Sequence, residues 1–339
     1  MMASISKSEK AYIQASLLSS NPLRADGRGL HDYRTVSLET GVAPLANGSA
    51  RVNFGKAVDE GGGGTEVLAA TKLEIEDVKP GEGEEGGRIV CTVTCSPAAY
   101  PQLSSNALDE LQYDYTTILH QTLSHPSLHP TDLGIIPYKK SWLLNVDLVV
   151  LSDAGNIYDA LFMSARAALW DTKVPVTRAV QYVPPQSDGA RGKTDTEDTM
   201  EVEGVGSSSL DTRHMPTASD FELSDYWDEG APLSGREKWP VCVTLNIHST
   251  AYFLDATLLE EASIPLKLLV VYTFTSPTSS SIQALRLVGP GELQLPQIEK
   301  LLQESEPFAR QLHTALNTKL KDEDIRRNQK ARDRFALRS

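Results

Sequence analysis

Residues 142–175 read WLLNVDLVVLSDAGNIYDALFMSARAALWDTKVP, and the fold turns on how they parse. Trp142 to Leu151 is a ten-residue run rich in Val and Leu. Both of its alternating faces are largely apolar, which predicts a strand buried on both sides. Ser152 to Gly155 supplies Asp and Gly for a tight turn. Asn156 stands at the N-cap of a helix over Ile157–Trp170, and Asp159 in the first turn suits its positive end. That helix is crowded with Ala160, Ser164, Ala165, Ala167 and Ala168. Small side chains let a helix lie close to a sheet, and Pro175 fits a chain that has left it.

Upstream, Ser6 and Glu9 make a possible capping box for a short helix within residues 1–20. The segment Arg24–Arg34, RADGRGLHDYR, is polar and turn-rich. Thr35–Glu39 and Gly48–Phe54 predict a hairpin with its turn at Asn47-Gly48. Further strands are expected at Val67–Glu74 and Arg88–Cys95. Between them, Asp59–Gly64 carries four consecutive glycines but no following Gly-Lys-Ser/Thr, so it is a loop tip and not a phosphate loop. Asp77–Gly87 is an acidic loop. Asn106–Leu123 holds helical period, with Leu108, Leu111, Tyr115, Ile118, Leu119 and Thr122 on one face.

Downstream, Gln186–Gly235 is rich in Asp, Glu, Ser, Gly and Thr with little periodicity, and is expected to be a mostly disordered insertion with Phe221–Trp227 docked on the surface. Strands then follow at Val241–Ile247, Ala251–Leu254, Lys267–Thr275 and Ser281–Val288, an antiparallel run. The last helix is expected over Pro296–Leu320, kinked or divided at Pro307. Strands followed by helices, twice, predict an α+β chain of two similar layered halves. The divisions are a lead-in helix at 1–30, a first half at 31–182, the acidic insertion at 183–238, a second half at 239–321 and a basic tail at 322–339.

The 339 residues are 40% apolar and 23% charged, ordinary for a globular chain. No apolar run reaches the roughly 18 residues of a membrane span, and the N-terminus lacks the apolar core of a signal peptide. The net charge is −13, and residues 186–238 hold 13 acids against 5 bases. An acidic balance argues against a surface that grips nucleic acid all round, but leaves room for a local basic path. Residues 325–339 carry 6 bases and 1 acid, which suits a solvated end, an RNA contact or a nuclear address. Cys91 and Cys95 share a strand face about 13 Å apart, too far for a disulfide. They are expected to be buried free thiols.

Composition and spacing alone reveal no active site. Asp147 and Asp153 can be read as a pair for Mg²⁺, or as a loop-facing carboxylate and a turn residue. Asp255, Glu260 and Glu261 in FLDATLLEEAS can be read as a metal-assisted cluster, or as an N-cap at Asp255 or Thr257 with a charged face. His120, His125 and His129 are expected to face solvent near a helix end, because Pro126 and Pro130 break the helix before metal-ligand spacing is met.

Several of these stretches resemble one family. RADGRGLHDYR resembles the R-x-D-G-R opening of the RNase PH superfamily, and GSARVNFG its following strand. NVDLVVLSDAGNIYDALFMSARAALWDTKVP is similar to the central strand-turn-helix of exosome ring subunits. FLDATLLEEAS is similar to the D-x-T-x-x-E-E signature of the inactive ring class. The resemblance implies a ribosomal protein S5 domain 2-like fold with two βαβ-type halves and mixed sheets. It implies a six-membered ring of RNase PH-like subunits, capped by S1/KH proteins, that threads RNA towards a separate hydrolytic exoribonuclease. It also implies nuclear, nucleolar and cytoplasmic locations, and no membrane.

The departures from active members carry the functional expectation. Active members hold phosphate with an Arg-rich stretch, whereas nothing between Ser96 and His120 is Arg or Lys here. Anions would meet Asp109, Glu110 and Asp114 instead. The late aspartate pair is Asp255 with Glu261, and the D-G-G-T turn is Asp153-Ala154-Gly155-Asn156. The expectation is a non-catalytic ring subunit acting in rRNA processing and mRNA turnover, with no catalytic residue, metal or cofactor. Arg51, Lys139 and Lys140 are its candidate RNA contacts. The alternative is a phosphorolytic 3′-to-5′ exoribonuclease.

Overall fold

The computed structural model describes residues 5–19, 22–55, 63–78, 87–180, 220–223, 230–249, 251–276 and 279–336. Helix α1 (Lys7–Leu17) starts at Ser6, whose hydroxyl accepts the Glu9 N–H at 3.1 Å. The first sheet is built from β1 (Val36–Thr40), β2 (Gly48–Phe54), β3 (Thr65–Asp77), β4 (Arg88–Cys95), β5 (Gly134–Ile136) and β6 (Lys140–Ser152). Its order is β1-β2-β3-β6-β4, with β5 against the start of β6. Neighbours are antiparallel except β4 and β6, which run parallel because helix α2 (Ser105–Leu123) carries the chain across between them.

The β1–β2 hairpin forms, but not with its turn at Asn47-Gly48. The connection occupies residues 41–47, and Gly48 is already paired with Thr71 of β3. A Cβ on Gly48 would come within 2.5 Å of the Ala168 carbonyl and 2.6 Å of the Thr172 nitrogen. The glycine therefore serves close packing, not a turn.

Strand β6 is buried on one face only, a correction to the two-sided burial its composition predicts. Trp142, Leu144, Val146, Leu148 and Val150 are buried, whereas Asp147 and Leu151 on the opposite face are exposed. The reason is topological. Helix α2 and helix α3 (Ile157–Asp171) pack on the same face of the sheet. Among the described residues no element covers the other.

The second sheet contains β11 (Val241–His248), β12 (Ala251–Phe253), β13 (Lys267–Phe274) and β14 (Ser280–Val288), in the order β12-β11-β13-β14 and antiparallel throughout. The short α4 (Leu258–Ser263) follows β12. Helix α3 lies between the two sheets, so every residue from Ile157 to Trp170 is buried. Its alanines are what allow sheets on both sides. Helix α5 (Leu295–Ala336) covers the far face of the second sheet, where the Tyr272 hydroxyl meets Ser305 Oγ at 2.7 Å. The helix runs through Pro307 and past Leu320 without a break. The buried Ala309 and the Ser305 contact hold both flanking turns to the sheet. The basic end is thus a continuation of this helix as far as Ala336.

Between the sheets the chain forms β7 (Lys173–Val174), β8 (Thr177–Val180), β9 (Asp220–Leu223) and β10 (Ala231–Pro232). Residues 181–219 and 224–229 of the acidic segment lie outside the described residues. Its end is ordered earlier than composition predicts. β9 pairs with β8, β10 pairs with β7, and Leu233 is buried. Phe221 docks edge-on against Trp142, ring centres 6.4 Å apart. Such partners are remote in sequence and leave no local period to read.

Candidate functional site

The polar lead-in folds onto the turn after β12. Arg24 grips Glu260 with Nε and Nη2 at 2.9 and 2.7 Å and donates to the Leu254 and Asp255 carbonyls. Arg28 Nη1 reaches Asp255 Oδ2 at 2.7 Å. Arg34 Nη2 reaches Asp255 Oδ1 at 2.7 Å, and its backbone N–H donates to Oδ2 at 2.6 Å. Asp255 is fully buried and its φ is 46°. Burial alone would raise its carboxyl, but the Arg34 hydrogen bonds and charge, with Arg28, outweigh that and hold it below the usual carboxylate range.

The same cluster clamps the turn after β6. Arg34 donates to the Ala154 and Gly155 carbonyls at 3.1 and 2.9 Å. Gly155 has φ 98°, and a Cβ there would lie 2.3 Å from the Ala256 carbonyl. Thr257 and Glu260 form a capping box on α4, so of the two N-cap candidates Thr257 takes the role. Glu261 binds Lys267 at 2.7 Å and accepts the Asn156 N–H at 2.9 Å. Asn156 does not cap α3 as its position predicts. It lies in the left-handed region, and its amide donates to Asp159 at 3.1 Å.

Asp159 itself is fully buried. It accepts from Thr244 of β11 at 2.7 Å and from Tyr33 of the lead-in at 3.1 Å. Burial lifts its carboxyl to about 6 against the lowering of the Thr244 and Asn156 hydrogen bonds. The residue serves as a polar rivet between α3 and the second sheet, not merely as a charge for a helix end.

These contacts decide what the arrangement can do chemically. Asp255, Glu260 and Glu261 are each matched to a cation, so the acidic cluster is the negative half of an ion-pair lattice. Asp147 is exposed on the open face of the first sheet. Asp153 instead accepts from the Tyr100 hydroxyl and the Gly155 N–H, both at 2.8 Å. Among the described residues no group of three or more His, Cys, Asp or Glu side chains converges as a metal site. Cys91, Cys95 and Cys242 are buried free thiols.

Helix α2 begins within the stretch between Ser96 and His120 that holds no Arg or Lys. Its Gln112, Thr116 and His120, at four-residue spacing, accept the N–H groups of Cys95, Val93 and Cys91 at 2.9, 2.9 and 3.3 Å. These are outward amides of β4, an edge strand, so the row seals that edge. Sequence reasoning missed it, although the spacing was there to find. Two histidines are therefore not simply solvent-facing. His120 is bonded to β4, and His129 Nε2 lies 2.8 Å from the Gly87 carbonyl. His125 is exposed, beside Ser127.

The three candidate RNA contacts do not converge. Arg51 on β2 pairs with Glu66, 2.6 Å away. Lys140 lies over the Phe221 ring at 5.5 Å and 3.7 Å from Asp220. Lys139 precedes it on the exposed turn into β6. Arg51 is aligned through Leu68 with Val149, nine residues along β6 from Lys140. That separates the two places by about 30 Å.

Residues 32–175 match the model of the 3′ exoribonuclease family, domain 1. Over this region the chain is similar to that family. A Dictyostelium discoideum protein named as the exosome complex exonuclease RRP42 is 28% identical to this chain, over 79% of the chain and 84% of that protein. The exosome complex component rrp42 of Schizosaccharomyces pombe is also 28% identical, over 85% and 83%. Among solved structures, an Archaeoglobus fulgidus exosome with RNA bound to its active site superposes with a TM-score of 0.62. That match is 22% identical and covers 91% of this chain and 97% of that one. The RNase PH-like fold, with its mixed sheets and packed helices, extends over both halves.

Proposed function

We propose that this chain is a non-catalytic structural subunit of an RNA exosome ring, forming part of the channel wall that threads RNA for 3′-to-5′ processing and decay. The observation that carries the reading is Asp255, enclosed by Arg28 and Arg34 where a catalytic carboxylate would need to stand open. The absence of Arg and Lys between Ser96 and His120 supports it, because phosphorolysis must neutralise two anionic groups together. Similarity to exosome components over most of the chain supports the assembly.

On this reading the partners are other RNase PH-like ring subunits, S1/KH cap proteins, RNA and an associated hydrolytic exoribonuclease. The complex works in nucleus, nucleolus and cytoplasm. Residues 31–182 and 239–321 are the two RNase PH-like halves, separated by the acidic segment. Arg51, Lys139 and Lys140 act as dispersed contacts that add salt-dependent affinity without forming a site.

Native mass spectrometry of the tagged chain, isolated at its natural level, tests the assembly. The expected result is a complex of about nine different subunits, six near this size, as the ring architecture requires. A lone monomer or homo-oligomer overturns it. Phosphate-dependent release of nucleoside diphosphates by the purified chain would establish the phosphorolytic alternative.

A further inference from the structure

Strand β14 is an edge strand that no other segment seals among the described residues. Along β4, the long edge of the first sheet, side chains of α2 accept the outward amides. Along β14, among the described residues, no side chain from outside the sheet hydrogen-bonds the backbone of residues 281–288. The strand has no proline and one charge, Arg286. Natural edges normally carry more protection than that.

One face of β14 is also apolar and open, and the other carries Ala284 and Arg286. Ile282, Leu285 and Leu287 pair with Tyr272, Val270 and Leu268, on the face that α5 covers over β13. Yet these three are 46%, 45% and 39% exposed. On the other face, Ala284 and Arg286 front a groove of about 300 Å³ floored by Ile118, Phe162, Leu269 and Val271. A row of exposed apolar side chains on an unprotected edge is a template for pairing with another strand. The strand's free N–H and C=O groups can be satisfied in register only by another extended chain. Arg286 is exposed, and no ion pair to it is found among the described residues.

We infer that β14 accepts an extended strand from a neighbouring ring subunit, apolar on the face beside Ile282, Leu285 and Leu287 and carrying a carboxylate opposite Arg286 on the other. The added strand would lengthen the second sheet, cover Ile282, Leu285 and Leu287 and fill the groove beside Phe162. This rests on the ring reading given above, and it names the surface of this chain that joins the ring.

Hydrogen exchange read by mass spectrometry, on the free chain and on the intact assembly, tests it. Amides of residues 281–287 are expected to exchange at least about tenfold more slowly in the assembly. Leu285→Asp and Arg286→Glu alter exposed side chains, so each should keep the free chain's melting profile and enter the assembly about tenfold less well. Unchanged exchange at 281–287 within a ring-sized assembly overturns this inference and leaves the ring reading standing. Both variants entering the assembly like the parent overturns it too. Protection in a homodimer would replace the neighbouring subunit with a second copy, and a chain that joins no assembly overturns both readings.

Discussion

Asp255 and Arg34 form a two-point contact across 221 residues of sequence: the carboxylate accepts from the Arg34 guanidinium at 2.7 Å and from the Arg34 backbone N–H at 2.6 Å. With Arg28 on the same carboxylate, the lead-in is tied to the second sheet. Asp255→Ala would leave two arginines beside a buried gap without their counter-charge. It is expected to destabilise by about 3–5 kcal/mol. Urea denaturation measures this; a loss below about 1 kcal/mol would show that the lattice is incidental.

Gly155→Ala tests the closeness of the two halves. The residue sits at φ 98°, and the new Cβ would meet the backbone of residues 256–258, which no side-chain rotation relieves. The expected cost is at least about 2 kcal/mol, read as a lower midpoint in the same denaturation. Gly27→Ala is the control: its φ is 77° and its Cβ would meet nothing within 4 Å, so only the backbone penalty applies.

A buried group and a half-buried one give stability opposite pH dependences. Burial raises Asp159 to about 6 from 3.8, so between these values the folded chain holds the proton more tightly than the unfolded one. This group's contribution therefore improves as pH falls through that window. Burial, then the charge of Arg166, lowers His313 from 6.5 to about 4, so its contribution is lost as pH falls from about 6.5. Stability measured from pH 7 to 4 should fall more steeply in Asp159→Asn and less steeply in His313→Gln. Each change is expected to be on the order of 2 kcal/mol across the window.

The sealed edge of β4 predicts a graded loss. Thr116→Val keeps the shape of the side chain but leaves the Val93 amide without its acceptor. About 1–2 kcal/mol should be lost, with faster exchange confined to residues 91–95. Gln112→Leu should do the same at Cys95. Uniform faster exchange across the sheet would mean that α2, not the edge, has been disturbed.

The open edge of the second sheet and the sealed edge of the first were equally hard to read from sequence. Gln112, Thr116 and His120 share a helical row, but neither helix period nor strand pattern says that the row faces an edge. Arg24, Arg28 and Arg34 read as a polar turn-rich segment because their partners lie more than 200 residues away. Asp255, Glu260 and Glu261 read as a possible metal cluster for the same reason. A carboxylate awaiting a cation and one already holding it look alike in one dimension.

What the sequence alone determined is local. β4 spans Arg88–Cys95 as its period predicts, α2 differs from its predicted start by one residue, and the turn from β6 into α3 is announced by Asp153-Ala154-Gly155-Asn156. These follow from backbone preference and the spacing of apolar side chains, which act over a few residues. Tertiary structure decided the rest: that β6 is covered on one face only, that α3 is enclosed by two sheets, and that the acidic cluster is neutralised. Those outcomes depend on which surfaces meet, and the buried polar groups must find partners wherever the packing of the core places them.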